Sequence, residues 1–254
     1  MLIARLTGCN ACWLLVLATC AVIGGVSAPA YAMGVTPIHI EMTSTGAGGR
    51  AQVTVSNDGT SPLPVEASIQ SLALEENGEQ KLSTAGDEFL LFPPQALIPA
   101  GRSQVFRLQW VGEPLLQSSQ SYLLSLSQIP VQLPKGSSAV QIVMSFGVFV
   151  NVAPPQGQAQ LRIAGTGIAT DRQGKRRPII TVENPSRVHG LLPQSTIYLS
   201  AGSWSRTVTE AELRDKIGIG LVQPGKRRKF ILPVDLPANV SSLQASIEYK
   251  PKRQ

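Results

Sequence analysis

One stretch in the middle of the chain places a large apolar residue at every second position for thirteen residues, from Val140 to Val152. Side chains of a β-strand point to opposite faces with a period of two, so this pattern predicts a long strand with an apolar face. Such a strand would reach about 43 Å, well beyond the usual five or six residues. At a sheet edge it needs a partner that covers it; the alternative is an interior strand buried on both faces.

The rest of the chain after Met33 also consists of short alternating stretches, and the spacing typical of amphipathic helices is not sustained. This pattern predicts an all-β fold in which residues 35–42, for example, form one strand. The exception is residues 209–216, where Thr209 is placed to cap a helical turn that contains Glu210 and Glu212.

An internal repeat indicates two domains. Residues 53–57 end in Asn57 and are followed by a Pro/Gly turn and a strand at 99–108; residues 180–184 end in Asn184 and are followed by the same features at 224–232. Each copy suits a seven-strand sandwich of about 100 residues, although chance similarity among β-proteins is the alternative. We expect a first domain at 33–153 with a long strand at 139–153, a Pro/Gly/Gln linker at 154–158 and a second domain at 159–254.

The first 32 residues differ in kind, because Arg5 precedes an apolar run and Ala30 and Ala32 provide small residues at peptidase positions. We expect a secretory signal peptide cleaved after Ala32, rather than a permanent membrane span. A lipoprotein cut before Cys20 is the competing interpretation. All three cysteines lie in this segment, so the mature chain would contain neither a disulfide nor a thiolate metal site.

Net charge and the absence of known motifs exclude several classes of function. The chain has a net charge of +6, and removal of the first 32 residues leaves +5, which in an exported protein favours acidic protein partners over nucleic acid. The two histidines, His39 and His189, fall in different predicted domains, and the signatures of hydrolases, metalloproteases and phosphate loops are absent from the sequence. We therefore predict no enzyme activity, no cofactor and no metal. The basic runs at 174–177 and 225–229 are either solvated hairpin tips or docking patches for an acidic protein surface.

Several motifs resemble, in their order along the chain, those of the periplasmic pilus chaperones that work with outer-membrane ushers. They are the signal peptide, Val55-Ser56-Asn57, Phe92-Pro93-Pro94, Pro99-Ala100-Gly101, Arg107, Tyr122 leading to Gln128-Ile129-Pro130, the strand from Val140 to Val152, and Glu183-Asn184-Pro185. The resemblance implies two immunoglobulin-like β-sandwich domains with a cleft between them. It also implies a periplasmic chaperone that donates a β-strand to pilus subunits lacking one and delivers them to the usher. The free chain could cover its long strand by self-association.

The resemblance also implies site residues. The apolar residues of the donor strand that would contact the subunit are Val140, Ile142, Met144, Phe146, Val148 and Val150. Well-studied members grip the subunit's terminal carboxylate with an arginine and a lysine, but Glu41 and Phe149 occupy the matching positions here. Arg107, Arg50 or His39 could replace this anchor, and the departure suggests a divergent, archaic-like branch.

Two further functions use the same fold. A structural pilin or adhesin subunit is the first alternative, and a secreted enzyme or sugar-binding module on a sandwich is the second.

Overall fold

The computed structural model describes residues 33–130, 143–171 and 173–251. These residues form two β units, each with its own buried apolar cluster, and the predicted all-β fold of two sandwich domains is confirmed. The domain boundaries drawn from the sequence stay a prediction. Among the described residues, no helix is long and apolar enough to cross a membrane.

The first unit is built from two sheets. Its strands are β1 (Met33–Thr36), β2 (His39–Thr43), β3 (Arg50–Asn57), β4 (Leu63–Leu74), β5 (Gln80–Thr84), β6 (Phe89–Phe92), β7 (Gln95–Ile98), β8 (Ser103–Trp110), β9 (Gln120–Gln128) and β10 (Ser145–Ala153). One sheet has the order β1-β3-β8-β6, and the other has the order β2-β10-β9-β4-β5, with β7 also paired to β4. A short 3-10 turn at Gly46–Gly49 precedes β3.

The second unit has smaller sheets. Its elements are β11 (Arg162–Thr170), β12 (Arg176–Glu183), β13 (Gly190–Leu191), a 3-10 turn (Leu192–Gln194), β14 (Ser195–Ala201), β15 (Trp204–Val208), α1 (Glu210–Ile217), β16 (Leu221–Val222), β17 (Arg227–Ile231) and β18 (Gln244–Tyr249). The sheet orders are β11-β12-β17, β13-β16 and β15-β14-β18. The predicted helix cap is confirmed, because Thr209 and Glu212 form a reciprocal capping box at the start of α1.

The cores follow from the alternation along each strand. In the first unit the inward residues of both sheets, such as Val53, Phe106, Leu124 and Val150, are fully buried. Burying side chains of this size stabilises a domain by about 1.5–3 kcal/mol each, so the cores account for most of the folding free energy. The polar residues between them face solvent or the other unit.

The repeated asparagine of the first unit is a buried turn clamp. The Asn57 Nδ2 group donates to the carbonyl oxygens of Ser61 and Ile98, at 2.8 and 2.9 Å, and its Oδ1 accepts from the N–H of Gly59. These bonds connect the end of β3 to the end of β7, which lies 41 residues away. The buried amide is thereby fully used, as buried polar groups require.

The second unit repeats this clamp. The Asn184 Nδ2 group donates to the carbonyl oxygens of Val188 and Val222, at 2.8 and 3.0 Å, and its Oδ1 accepts from the N–H of Ser186. The backbone bonds at Asn184 and at Asn57 also match, because each residue exchanges bonds with the Pro/Gly turn that follows about 40 residues later. The internal repeat of the sequence therefore corresponds to one turn structure used twice.

Two strand predictions differ from the structure. Residues 35–42 do not form one strand, because the chain leaves one sheet after Thr36 and enters the other at His39, with Pro37 between them. Proline has no N–H to donate and fixes its own φ, which favours such a break. The long strand predicted at 139–153 is observed as β10 from Ser145, residues 143 and 144 precede it without strand assignment, and residues 139–142 lie outside the described residues.

Candidate functional site

Strand β10 has two halves with different neighbours. It pairs antiparallel with β9 along residues 145–152, but it pairs in parallel with β2 only from Phe149 to Ala153. In the described part of the chain, residues 145–148 therefore have a single partner strand. The half next to β2 is an interior strand, as one interpretation of the sequence expected, and the other half has an open edge.

Backbone hydrogen bonds show which groups face that edge. Met144 accepts from the N–H of Gln128, so even-numbered residues direct their backbone groups toward β9. The N–H of Phe149 donates to the carbonyl of Ile38 at 3.1 Å, so odd-numbered residues face the opposite side. Ser145 and Gly147 consequently present their backbone groups to the edge that β2 does not cover. We call residues 145–148 on this side the open edge.

The side chains of β10 that face the core change in burial along the strand. Val148 and Val150 are fully buried in the core of the first unit, whereas Met144 and Phe146 are half-buried and pack against its border. The remaining two residues of the predicted subunit-contacting set, Val140 and Ile142, lie outside the described residues. The apolar face thus runs from a sealed core to a partly uncovered end.

On the opposite side of the sheet, β10 carries the small residues Ser145 and Gly147 beside the open edge. The hydroxyl groups of Ser127 and Ser145 lie 2.7 Å apart. A Cβ at Gly147 would meet the Leu123 side chain at 3.0 Å, so the glycine allows Leu123 to lie over the strand. An incoming backbone could approach this edge without meeting a long side chain from Gly147.

A polar cluster lies at the start of β2, where the two units meet. Glu41 contacts the Nε2 atoms of His39 and His189 at 2.5 and 2.6 Å and accepts from the Asn151 Nδ2 group at 2.9 Å. Asn151 is fully buried, and its Oδ1 accepts from the Ser121 hydroxyl at 2.8 Å. We call these residues the Glu41 cluster. The two histidines that the sequence assigns to different domains are thus brought together on one carboxylate.

Burial and the histidines act on Glu41 in opposite directions. Burial alone would raise the pKa of the carboxyl, but the hydrogen bonds and charges of His189 and His39 outweigh it and lower the pKa from 4.5 to about 2. Glu41 is therefore ionised at neutral pH. Its partner His189, in the second unit, is 148 positions away in the sequence. The sequence pattern therefore did not predict the contacts of Glu41 with His189 and Asn151.

Phe149, at the second position that matches the family's basic anchor, has apolar neighbours. Phe149 packs with Leu191, Ile219 and Leu221 of the second unit, in a cluster that also contains Leu72. A carboxylate placed there would lose hydration without gaining a cation, which is unfavourable. At one anchor position of the family, this chain has the Glu41 carboxylate, which already contacts two histidines. At the other it has the Phe149 ring, which packs against the second unit.

The candidate replacement anchors lie in two separate places. Arg50 on β3 and Arg107 on β8 lie in the other sheet of the first unit, and both line a depression of about 470 Å³ with Leu90 and Phe92. His39 begins β2. It follows Ile38, whose carbonyl accepts from the Phe149 N–H at the point where the open edge ends. Of the three candidates, His39 is the one placed beside β10.

The basic runs make contacts within the chain. Arg176 donates to the carbonyls of Pro237, Ala238 and Val240, and Arg177 pairs with two aspartates of its own unit. In the run at 225–229, Lys229 contacts Glu76 of the first unit, whereas Arg227 pairs with Glu183 of its own unit. Among the described residues, no group of three or more histidine, cysteine or carboxylate side chains is arranged to hold a metal.

Comparisons with known proteins agree with this geometry. Residues 33–158 match the family model described as the pili and flagellar-assembly chaperone, PapD N-terminal domain. A search of the curated proteins finds no significant match.

Solved structures show the same fold at low identity. The class 5 fimbriae chaperone CfaA is 12% identical, with 86% of this chain and 100% of that chain covered and a TM-score of 0.51. The CsuC–CsuE chaperone–tip adhesion subunit pre-assembly complex, from archaic Csu pili of Acinetobacter baumannii, is 17% identical, with 84% and 91% covered and a TM-score of 0.50. The SafA pilin complex with the SafB chaperone from Salmonella enterica is 16% identical, with 82% and 86% covered and a TM-score of 0.50.

These matches agree with the motifs of the sequence and with the two β-sandwich units. Through residues 33–158 the chain belongs to the PapD family of chaperones for pilus and flagellar assembly.

Proposed function

We propose that this protein is a periplasmic chaperone that binds pilus subunits lacking a β-strand and delivers them to an outer-membrane usher. The observation that carries the proposal is the open edge of β10, where Ser145 and Gly147 present backbone groups while Phe146 is half-buried. A subunit with an incomplete sandwich has an unpaired strand edge and an uncovered core. One added strand satisfies both.

The apolar residues that would enter the subunit's groove precede Gly147. In this proposal they are Val140, Ile142, Met144 and Phe146, while the buried Val148 and Val150 fix the strand in the chaperone's own core. Burial of each large apolar side chain contributes about 1.5–3 kcal/mol before the costs of association, so a few of them suffice to hold a subunit.

The subunit strand would end beside His39, since β2 takes over the edge of β10 from Phe149 onward. The proposal includes no covalent step, because the subunit is released when another strand replaces the donated one. Two of the similar solved structures are complexes of a chaperone with a tip adhesion subunit or a pilin, which supports subunits of this kind as partners.

The proposal is tested by blocking the open edge. Ser145→Pro removes an N–H that faces the partner and leaves the pairing with β9 intact, because Ser145 is the first residue of β10 and its backbone points away from β9. Ser145→Ala is the matched control, since both variants lose the contact with the Ser127 hydroxyl but the alanine keeps the N–H. Val148→Asp is unsuitable because Val148 is fully buried.

Tagged protein would be purified from the periplasm after co-expression with the secreted products of the neighbouring genes. We expect wild type and Ser145→Ala to retain a small β-rich subunit, and Ser145→Pro to retain about tenfold less or none. Thermal unfolding of each variant verifies that the first unit remains folded. Equal capture by a folded Ser145→Pro variant, or no capture by wild type, would contradict the proposal.

A further inference from the structure

The turn after β4 in the first unit lies against β17 of the second. The backbone N–H of Lys229 donates to the carbonyl of Glu76 at 2.7 Å, and the Lys229 ammonium contacts the Glu76 carboxylate at 2.8 Å. Residues 75–79 include three glutamates. In the basic run 225–229, Lys229 and Lys226 interact with Glu76 and Glu75, whereas Arg227 pairs with Glu183 of its own unit. The acidic protein surface that this basic run suggested is therefore part of the same chain.

The overall charge distribution agrees with this contact. Residues 33–158 contain 5 basic and 9 acidic side chains, whereas residues 159–254 contain 16 basic and 7 acidic ones. Opposite net charges attract the two units, but exposed ion pairs are weak and screened by salt. Charge alone does not fix an angle between two units.

Gln223 adds two side-chain hydrogen bonds to the directional contacts between the units. Its side-chain Nε2 donates to the carbonyl of Leu72, and its Oε1 accepts from the N–H of Leu74, both at 2.8 Å. Strand β9 pairs with β4 only as far as Ser71. The amide of Gln223 thus bonds to the backbone of β4 just beyond the end of the β9 pairing, as a neighbouring strand would do.

Apolar packing surrounds this amide. Leu72, Leu74 and Leu221 form a buried cluster across the junction. The Arg228 guanidinium donates to the carbonyl of Leu221. It also lies close to Gly78 of the first unit, where a Cβ would come within 3.0 Å of it. The hydrogen bonds of Gln223 are part-buried beside this cluster, so loss of the amide would leave two backbone groups of β4 without their partner.

The Glu41 cluster is a second attachment on the same sheet. Glu41 lies on β2 and the backbone bound by Gln223 lies on β4, and the order β2-β10-β9-β4 places three strand spacings between them. At about 4.8 Å for each spacing, the two attachments are about 14 Å apart. Between the units, the Ser119 N–H also donates to the Arg187 carbonyl and the His189 N–H donates to the Ser119 hydroxyl. Contacts at separate points of one sheet oppose a rotation that a single linker would allow.

We propose that Gln223 is a positioning residue that fixes the angle of the second unit on the first. Through this angle it sets how the open edge of β10 is presented to a partner. The consequence for partner binding rests on the proposed function, whereas the angle itself does not.

The test compares Gln223→Ala with Gln244→Ala, which removes an exposed glutamine from β18 of the same unit. Residual dipolar couplings of backbone amides give an alignment tensor for each unit separately. We expect a single common tensor in wild type and in Gln244→Ala. In Gln223→Ala we expect the common tensor to be lost, with two tensors of unequal magnitude in its place.

Gln223→Glu provides a second variant of the same size, in which a carboxylate replaces the donor to Leu72 and both oxygens repel that carbonyl. We expect the same loss of a common tensor, with amide shifts far from the junction unchanged in both units. A common tensor retained in folded Gln223→Ala and Gln223→Glu variants would overturn the proposal.

The capture experiment then separates the two proposals. We expect Gln223→Ala to retain about tenfold less subunit than Gln244→Ala, because fixing the angle between the units on binding would cost conformational entropy. If wild type captures a subunit, equal capture by the two variants would overturn the effect of the angle on partner binding. Failure of wild type to capture any subunit contradicts the proposed function and leaves the tensor result unaffected.

Discussion

The two β units share a turn clamp but differ in their last strand. Asn57 and Asn184 make equivalent bonds, so the same buried amide organises each unit. The last strand of the first unit, β10, is buried between two neighbours at one end and has an open edge at the other. The last strand of the second unit, β18, pairs with β14 and alternates exposed with half-buried residues. A common scaffold therefore carries a specialised strand in one unit.

The largest expected effect separates the buried end of β10 from its other end. Val150→Asp places a carboxyl in a fully buried site and removes apolar contacts, so we expect a loss of about 4 kcal/mol or more in the free energy of unfolding of the first unit. Urea denaturation followed by tryptophan fluorescence measures it, since Trp110 lies in the same cluster.

The matched change is Val143→Asp, at a residue that is 46% exposed just before β10. We expect it to cost less than about 0.5 kcal/mol, as surface substitutions usually do. Similar losses for both aspartates would contradict the contrast between the buried end of β10 and the exposed chain that precedes it.

The clamps predict a smaller and symmetrical effect. Asn57→Ala removes two donor bonds and one acceptor bond, and Asn184→Ala removes two donor bonds and two acceptor bonds, so we expect each to cost about 2–3 kcal/mol in its own unit. Hydrogen exchange of amides in β3 and β12 measures the two units independently. A large loss at one asparagine with little at the other would show that the equivalent bonds do not carry equivalent stability.

The amino-acid pattern predicted much of this arrangement. Alternation identified the all-β class and the even-numbered apolar face of β10, because burial follows the period of a strand. It could not tell where β2 begins to pair with β10, since that depends on the register of two strands more than a hundred residues apart. The same limit applies to Glu41 and His189, and to Gln223 with the backbone of β4. Their side chains meet only after both units have folded.

The Glu41 cluster predicts a pH dependence at the junction between the units. The pKa of Glu41 is 4.5 in an unfolded chain and about 2 in the folded one, so the folded state favours the ionised form. Its contribution to stability is complete above about pH 4.5 and is lost as the pH falls toward 2. Since the side chain is partly exposed, we expect Glu41→Gln to lower the free energy of unfolding at pH 7 by about 2 kcal/mol.

Urea denaturation of wild type and Glu41→Gln at pH 7, and at steps from 4.5 down to 2, tests this sign. The gap between the two proteins should close over that range, because the carboxyl becomes neutral in both. Glu66→Gln, which removes an exposed carboxylate of β4, is the control and should show little difference from wild type at pH 7. A gap for Glu41→Gln that stays constant to pH 2 would mean that the hydrogen bonds a carboxyl group makes with His39 and His189, rather than its negative charge, stabilise this contact. The two units would then be joined at this point by hydrogen bonds that do not depend on charge, like those that Gln223 makes with the backbone of β4.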